Sequence, residues 1–234
     1  MFPLRDSIPS ERRPFVNVLI ILACTIAFVH ELSLGPYLER YLRAAAFVPE
    51  RLFHPGAFGG GVALSLTSMV RSMFLHGGWM HLIGNMWFLW IFGDNVEDVL
   101  GHIWYGVFYL LCGVAAALTQ AFADPASTVP MIGASGAIAG VLGAYLVWFP
   151  WARVRTAIFL GFFFTFADIP APFYLLYWFA IQFVSGTLSL AAAGHGAGGV
   201  AFFAHIGGFV AGATIAFMLR RSGLIAARSR ERLF

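Results

Sequence analysis

The sequence predicts an all-α membrane protein in which six transmembrane helices form one bundle and a long first loop associates with the membrane. Hydrophobic residues make up 60% of the 234-residue chain and charged residues only 11%, which leaves too little polar surface for a dispersed soluble domain. The mean hydropathy of +0.81 agrees. The apolar residues form long runs, and a helix that crosses ~30 Å of hydrocarbon needs about 20 of them.

Six apolar runs are interpreted as the spans. A seventh run, 157–166, is too short to cross alone and is followed by Asp168 and Pro170, so it is predicted to be an interfacial or re-entrant piece between the fourth and fifth spans. The six predicted spans are 15–34, 79–96, 103–122, 131–149, 173–193 and 200–219.

The basic residues predict the orientation of the bundle. All 14 are arginines, and they flank apolar runs rather than forming the basic face that nucleic-acid binding requires. Ten lie in the segments that six spans would place on the same side as both termini, so the positive-inside rule puts the termini in the cytoplasm. The predicted parts are a cytoplasmic tail, 1–14, a six-helix domain, 15–220, and a basic cytoplasmic tail, 221–234.

The predicted first loop, 35–78, is unusually apolar. Hydrophobic patches at 64–66 and 70–75 would be out of place in a solvated loop. We expect this segment to lie partly in the outer leaflet as short amphipathic helices.

Polar side chains are predicted at one depth in three spans. A polar side chain inside the bilayer carries a large free-energy cost, so its presence there indicates a structural or functional role. His81 and Asn85 are four residues apart in the second span and therefore share a helix face. Ser135 lies in the fourth span and His205 in the sixth. All three spans run inward, and His81, Ser135 and His205 each fall in the first third of their own run. We therefore expect them a few to about 10 Å below the outer surface.

Glycines predict that the fourth and sixth spans approach closely. Gly136 begins a Gly-x-x-x-Gly pattern in the fourth span, and Gly208 begins the same pattern in the sixth. Small residues at this spacing let helix backbones meet, as a hydrogen bond between Ser135 and His205 requires. Gly133, on the other side of the serine, keeps the local backbone accessible.

These residue types predict nucleophilic catalysis. A serine hydroxyl is a weak nucleophile, and His205 could take its proton and later return it to a leaving amine. The second, fourth and sixth runs hold no Asp or Glu at this depth, so we expect a dyad rather than a triad. His81, Asn85 and the backbone N–H of Ser135 are the predicted donors to an oxyanion.

The same motifs resemble those of the rhomboid intramembrane proteases over about 67–219. The stretch 74–86 is similar to the second-helix signature of that family. Residues 133–136, Gly-Ala-Ser-Gly, are similar to its nucleophile motif, and 204–212 to its sixth-helix motif. Together the three motifs are highly specific.

The resemblance implies a serine endopeptidase with Ser135 and His205 as its dyad and His81 and Asn85 as oxyanion support. It implies a water-filled cavity, transmembrane protein substrates cut near the outer face, and no cofactor or metal. The partners are those substrates and the lipid bilayer. His76 matches a histidine near the cavity mouth, interpreted as a loop anchor. The family and the short tails together imply a bacterial inner membrane.

Two positions depart from the pattern. Some members have an aromatic residue four positions after the serine, where this chain has Ala139, so the ring of His205 would be held by Phe202 or Phe203 instead. The Trp-Arg pair that some members carry in the first loop is absent, and Arg71 is the nearby arginine.

Several assignments remain open in the sequence. Gln182, in the fifth span, could form an interhelical hydrogen bond or line the path by which a substrate enters. The glycine-rich stretch 194–199 is predicted to cap the cavity and to gate access with the fifth span. A pseudoenzyme that binds transmembrane helices would lack the serine or histidine. A metalloprotease or metal transporter using His76, His81 and His205 would add a carboxylate, as in His-Glu-x-x-His.

Overall fold

The computed structural model describes residues 1–54, 62–161, 163–192 and 201–223, and within them the chain forms nine α-helices and one three-stranded sheet. A 3-10 turn, Gly35–Tyr37, follows the first helix. The helices are α1 Phe15–Ser33, α2 Leu38–Ala45, α3 Pro49–Phe53, α4 Val62–Ser72, α5 Trp79–Leu100, α6 His102–Ala123, α7 Ser135–Trp148, α8 Ala171–Ala192 and α9 Phe202–Arg221. The strands are β1 Phe2–Asp6, β2 Arg153–Leu160 and β3 Phe163–Pro170.

Helices α1, α5, α6, α7, α8 and α9 correspond to the six predicted spans, although several of their ends differ by one to four residues. Among the described residues, three helices are long and apolar enough to cross a membrane, namely α1, α6 and α9. Helix α7 and the Ala171–Val184 part of α8 are apolar but shorter. The protein is therefore an integral membrane protein, and its count of six crossings stays a prediction.

The fourth predicted span begins four residues too early. Instead of starting a helix at Met131, the chain forms an isolated bridge between Met131 and Phe47. Gly133 then adopts φ +120°, a conformation that L side chains rarely tolerate. Helix α7 begins only at Ser135, so the serine lies at the helix N-terminus.

The run 157–166, predicted to be interfacial or re-entrant, belongs to an antiparallel β-hairpin. Strands β2 and β3 pair over their whole length, and β1 adds to the other edge of β2, with Phe2 opposite Ala157. The predicted N-terminal tail thus contributes a strand. It also lies along α5, because Trp87 Nε1 donates to the carbonyl of Pro3 at 2.7 Å.

Helix α7 is the centre of the bundle. Gly136 to Tyr145 are all buried along it, and α5, α6 and α9 pack around it. Near its C-terminal end, the ring of Tyr145 packs edge-on against Phe92 of α5, with centroids 5.0 Å apart. Because α7 is enclosed on so many sides, the residue at its N-terminus is held at a defined position inside the protein.

The first loop folds into α2, α3 and α4 and packs against the bundle. Phe47 and Met69 are 1% exposed and join Ala117 and Ala121 of α6 in one apolar cluster. The depth of these short helices in the outer leaflet stays a prediction.

Candidate active site

Ser135 occupies the first residue of α7, and the backbone before it is tied to the first loop. The N–H of Gly133 donates to the carbonyl of Ser72 at 2.9 Å. The hydroxyl of Ser72 in turn accepts the N–H of Phe47 at 2.7 Å. The loop therefore supports the turn that presents the serine.

Glycine contacts bring α7 and α9 together as the small-residue spacing predicts. A Cβ added to Gly208 would collide with the carbonyl oxygen of Gly136, and one added to Gly212 would collide with the backbone of Gly140. Both obstacles are backbone atoms, which cannot move aside as a flexible side chain can. This close approach places His205, on the first turn of α9, beside the start of α7.

The side chains of Ser135 and His205 are within hydrogen-bonding distance. Ser135 Oγ lies 2.7 Å from His205 Nε2, and His205 is only 8% exposed. A neutral imidazole nitrogen at this distance can accept the hydroxyl proton. The pair therefore has the geometry of a nucleophile and its base.

The other edge of the His205 ring contacts α8. Its Nδ1 lies 2.7 Å from Oε1 of Gln182, so Gln182 forms an interhelical hydrogen bond, and it also lines the cavity. Trp178 packs against the imidazole with centroids 5.9 Å apart. Phe202 touches it edge-on at 6.5 Å. Of the two phenylalanines predicted to hold the ring, Phe202 makes a ring contact, and Trp178 is an aromatic neighbour that the sequence did not indicate.

His81 and Asn85 converge on the backbone just before the serine. A Cβ built on Gly133 would lie 2.6 Å from His81 Nε2 and 3.6 Å from Asn85 Nδ2. The N–H of Gly77 donates to His81 Nδ1 at 3.3 Å, which leaves the ring proton on Nε2, facing the site. Asn85 Nδ2 is buried and has no hydrogen-bond partner in the described part of the chain. Both N–H groups are therefore available to an anionic oxygen.

His76 lies behind this pair and outside the helices. Its ring packs edge-on against His81 with centroids 5.2 Å apart, and its Nδ1 lies 3.2 Å from the carbonyl of Phe74. Burial, helped by the neighbouring His81, lowers the pKa of His76 to about 4. The backbone N–H of His76 donates to both oxygens of Glu31 at 3.2 Å. These contacts suit the loop anchor that the sequence predicts, and Glu31 is its unpredicted partner.

A cavity of about 900 Å³ joins these groups. Polar side chains from five helices, α5 to α9, line its wall, and the cavity has room for a peptide segment and water beside the serine. The polar residues in its lining are His81, Asn85, Gln120, Ser127, Ser135, Gln182 and His205. Gly133 and Gly136 lie next to the serine, and Gly208 lies where α9 crosses α7.

Comparison with known proteins identifies the family. The sequence profile of the Rhomboid domain matches residues 63–222, which is more than half of the chain. This protein belongs to the rhomboid family. The resemblance inferred from the three motifs is thereby confirmed at the level of the family, whereas the roles of the individual site residues stay predictions.

Curated rhomboid relatives cover only part of the chain. RHOMBOID-like protein 6, mitochondrial, of Arabidopsis thaliana is 30% identical over 153 residues, which is 64% of this chain and 43% of the relative. Rhomboid protein 1, mitochondrial, of Saccharomyces cerevisiae is 34% identical over 99 residues, 41% of this chain and 29% of the relative. Rhomboid-like protease 5 of Toxoplasma gondii is 39% identical over 80 residues, 32% of this chain and 9% of the relative.

Three of the rhomboid relatives have names that include an organelle. Two of them are mitochondrial, and a third relative, Rhomboid-like protein 11 of Arabidopsis thaliana, is chloroplastic. The expected bacterial inner membrane therefore has no support from them. The chain spans 25–43% of the length of RHOMBOID-like proteins 5, 11 and 6.

The glycine-rich stretch 194–199, predicted to cap the rhomboid cavity, lies outside the described residues. In the part of the chain that is described, no group of three His, Cys, Asp or Glu side chains is placed to hold a metal ion. His76, His81 and His205 thus form no ligand cluster there.

Proposed function

We propose that this rhomboid protein is an intramembrane serine endopeptidase that hydrolyses peptide bonds in or near transmembrane segments. The observation that carries the proposal is the 2.7 Å contact between Ser135 Oγ and His205 Nε2 in the wall of a large cavity. Hydrolysis needs a nucleophile, a base and space for water, and the three coincide here.

In the proposed reaction, His205 accepts the Ser135 hydroxyl proton at Nε2 as Oγ attacks the substrate carbonyl carbon. The carbonyl oxygen becomes an oxyanion, held by the side-chain N–H groups of His81 and Asn85 and by the backbone N–H of Ser135. His205 then gives its proton to the departing amine, which leaves an acyl ester on Oγ. Water from the cavity, deprotonated by His205, hydrolyses this ester and restores the serine.

The proposed topology places the reaction near the non-cytoplasmic face. Six crossings with both termini in the cytoplasm follow from the arginine distribution. In that arrangement Ser135 and His205 lie toward the outer ends of inward-running α7 and α9. The substrates would be other membrane proteins, which reach the cavity through the bilayer.

The test is cleavage of a model transmembrane substrate by the detergent-purified protein and its S135A and H205A variants, each with and without EDTA. We expect wild type to cut, both variants to be inactive, and EDTA to change nothing. Cleavage by S135A at the same site would show that the nucleophile is another group, and loss of activity in EDTA would reopen the metal chemistry.

A fluorophosphonate probe provides a readout that needs no substrate. We expect wild type to be labelled at Ser135, and S135A and H205A to remain unlabelled. A wild-type protein that neither cuts nor labels would instead favour a pseudoenzyme that binds transmembrane helices.

A further inference from the structure

We propose that Gln182 is a positioning residue that holds His205 in the tautomer and orientation needed for proton transfer. The site would then work as a chain of three side chains, Ser135, His205 and Gln182. This inference rests on the proposed protease function and adds a third member to its predicted dyad.

The distances support a continuous chain across the imidazole. Nε2 of His205 lies 2.7 Å from Ser135 Oγ, and Nδ1 lies 2.7 Å from Gln182 Oε1. A neutral imidazole carries one N–H and one acceptor nitrogen. If Nδ1–H donates to the amide oxygen, the lone pair of Nε2 is left facing the serine hydroxyl, as a general base requires.

The two contacts of His205 with α8 come from one helix face. Trp178 and Gln182 are four residues apart, so both point toward α9. The indole covers the imidazole face, with centroids 5.9 Å apart, while the amide holds its edge. Helix α8 is itself held on α9 by Trp178 and Phe179, whose rings lie 6.4 and 4.8 Å from that of Phe209. The ring of His205 is thereby restrained in both tilt and rotation.

A neutral partner suits this position in a membrane. An ionised carboxylate within the bilayer carries a large desolvation cost, and an amide accepts the same hydrogen bond without a charge. An amide can also bind in the flipped orientation, in which its NH₂ group donates to Nδ1 and favours the tautomer of His205 that is protonated at Nε2. A glutamate, when ionised, can only accept, and it should therefore preserve the productive tautomer.

The kinetic test compares Q182M, Q182E and a matched control, F183L, which changes a half-exposed neighbour on the same helix. We expect Q182M to lower kcat by about 10²-fold, the lower end of the range for general acid–base catalysis, with KM within about twofold. Q182E should recover most of that loss, and F183L should behave as wild type. A Q182M variant with wild-type kcat, or with a loss confined to KM, would overturn the proposal.

Nitrogen-15 NMR of the His205 side chain gives a second readout that does not need turnover. We expect the wild type to carry its proton on Nδ1, and Q182M to shift toward the Nε2-protonated form. The same tautomer in both would refute the positioning role. If this shift is seen while the wild type cuts nothing and is not labelled by fluorophosphonate, the protease function fails and the positioning role stands.

Discussion

The phenol of Tyr145 on α7 donates a hydrogen bond to the carboxyl group of Asp6 on β1, with 2.5 Å between Oη and Oδ2. The N-terminal strand is thus fastened to the helix that begins with Ser135. The same strand pairs with β2, which follows α7 in the chain. The sheet and the central helix are therefore packed together. Substitutions that weaken the contact between β1 and α7 should lower the stability of the whole protein.

We expect Y145F to destabilise the protein by about 1–3 kcal/mol, because the partly buried Asp6 loses its donor. The midpoint of thermal unfolding in detergent would report the change. The control is Y177F, because Tyr177 is half exposed and its variant should unfold like wild type. Equal midpoints for Y145F and wild type would mean that this hydrogen bond contributes little.

Asp6 should make stability depend on pH. Burial, the largest effect, and the nearby Asp94 carboxyl raise the pKa of Asp6 from 3.8 to about 7, against the opposing hydrogen bond from Tyr145. Between about pH 4 and pH 7 the folded state holds a proton that the unfolded state releases, so the free energy of unfolding falls as pH rises. Below about pH 4, Asp6 is protonated in both states and does not make the free energy of unfolding depend on pH. Above about pH 7, Asp6 is ionised in both states, and its stabilising contribution is fully lost.

The measurement is thermal unfolding of wild type and D6N at several values from about pH 4 to about pH 8. We expect wild type to lose more stability than D6N across the window, since asparagine does not titrate. Parallel curves for the two proteins would show that another group sets the pH dependence.

Asn85 should affect turnover without affecting stability. Removing one oxyanion donor typically lowers kcat by about 10²–10³-fold, and Asn85 Nδ2 has no hydrogen-bond partner to lose among the described residues. We therefore expect N85A to have a low kcat, a KM near that of wild type and an unchanged unfolding midpoint. I83V, at a half-exposed position on the same helix, is the control and should retain full activity. A parallel fall in kcat and midpoint would indicate a structural role instead.

Two glycine variants should change stability in opposite directions. A Cβ on Gly212 would meet the backbone of Gly140, whereas one on Gly84 would have no atom within 4 Å. We expect G212A to cost about 1–3 kcal/mol by overpacking and G84A to gain up to about 1 kcal/mol by helix propensity. Thermal unfolding of both, without reference to activity, tests the close approach of α7 and α9. A stable G212A would contradict it.

The β-hairpin of β2 and β3 includes a strand pairing that hydropathy does not reveal. The run 157–166 is apolar and Phe-rich, which favours a membrane-interface piece, and its length argues against a crossing. Its strand partner, Phe2–Asp6, lies about 150 residues away in the chain. Hydropathy indicates whether a segment prefers an apolar or a polar environment. It does not indicate which distant segment will pair with it as a strand.

Glu31 and Gln182 illustrate the same limit at the site. Each interrupts an apolar run, which indicates that something uses it, yet the pattern does not say which group does. Packing brings Glu31 to the backbone of His76 and Gln182 to the ring of His205. Because Ala139 stands where some family members have an aromatic residue, the sequence indicates that another residue must pack against the ring of His205. It does not indicate that Trp178, on another helix, is that residue.

The sequence by itself determined that this is a membrane protein of the rhomboid family, where its long helices lie, and which serine and histidines are candidates for chemistry. Those properties follow from local composition, spacing and motifs. Only the tertiary structure decided which side chains meet: Ser135 with His205, His205 with Gln182, and Tyr145 with Asp6. Such contacts join segments 23 to 139 residues apart, and they depend on how whole helices and strands pack.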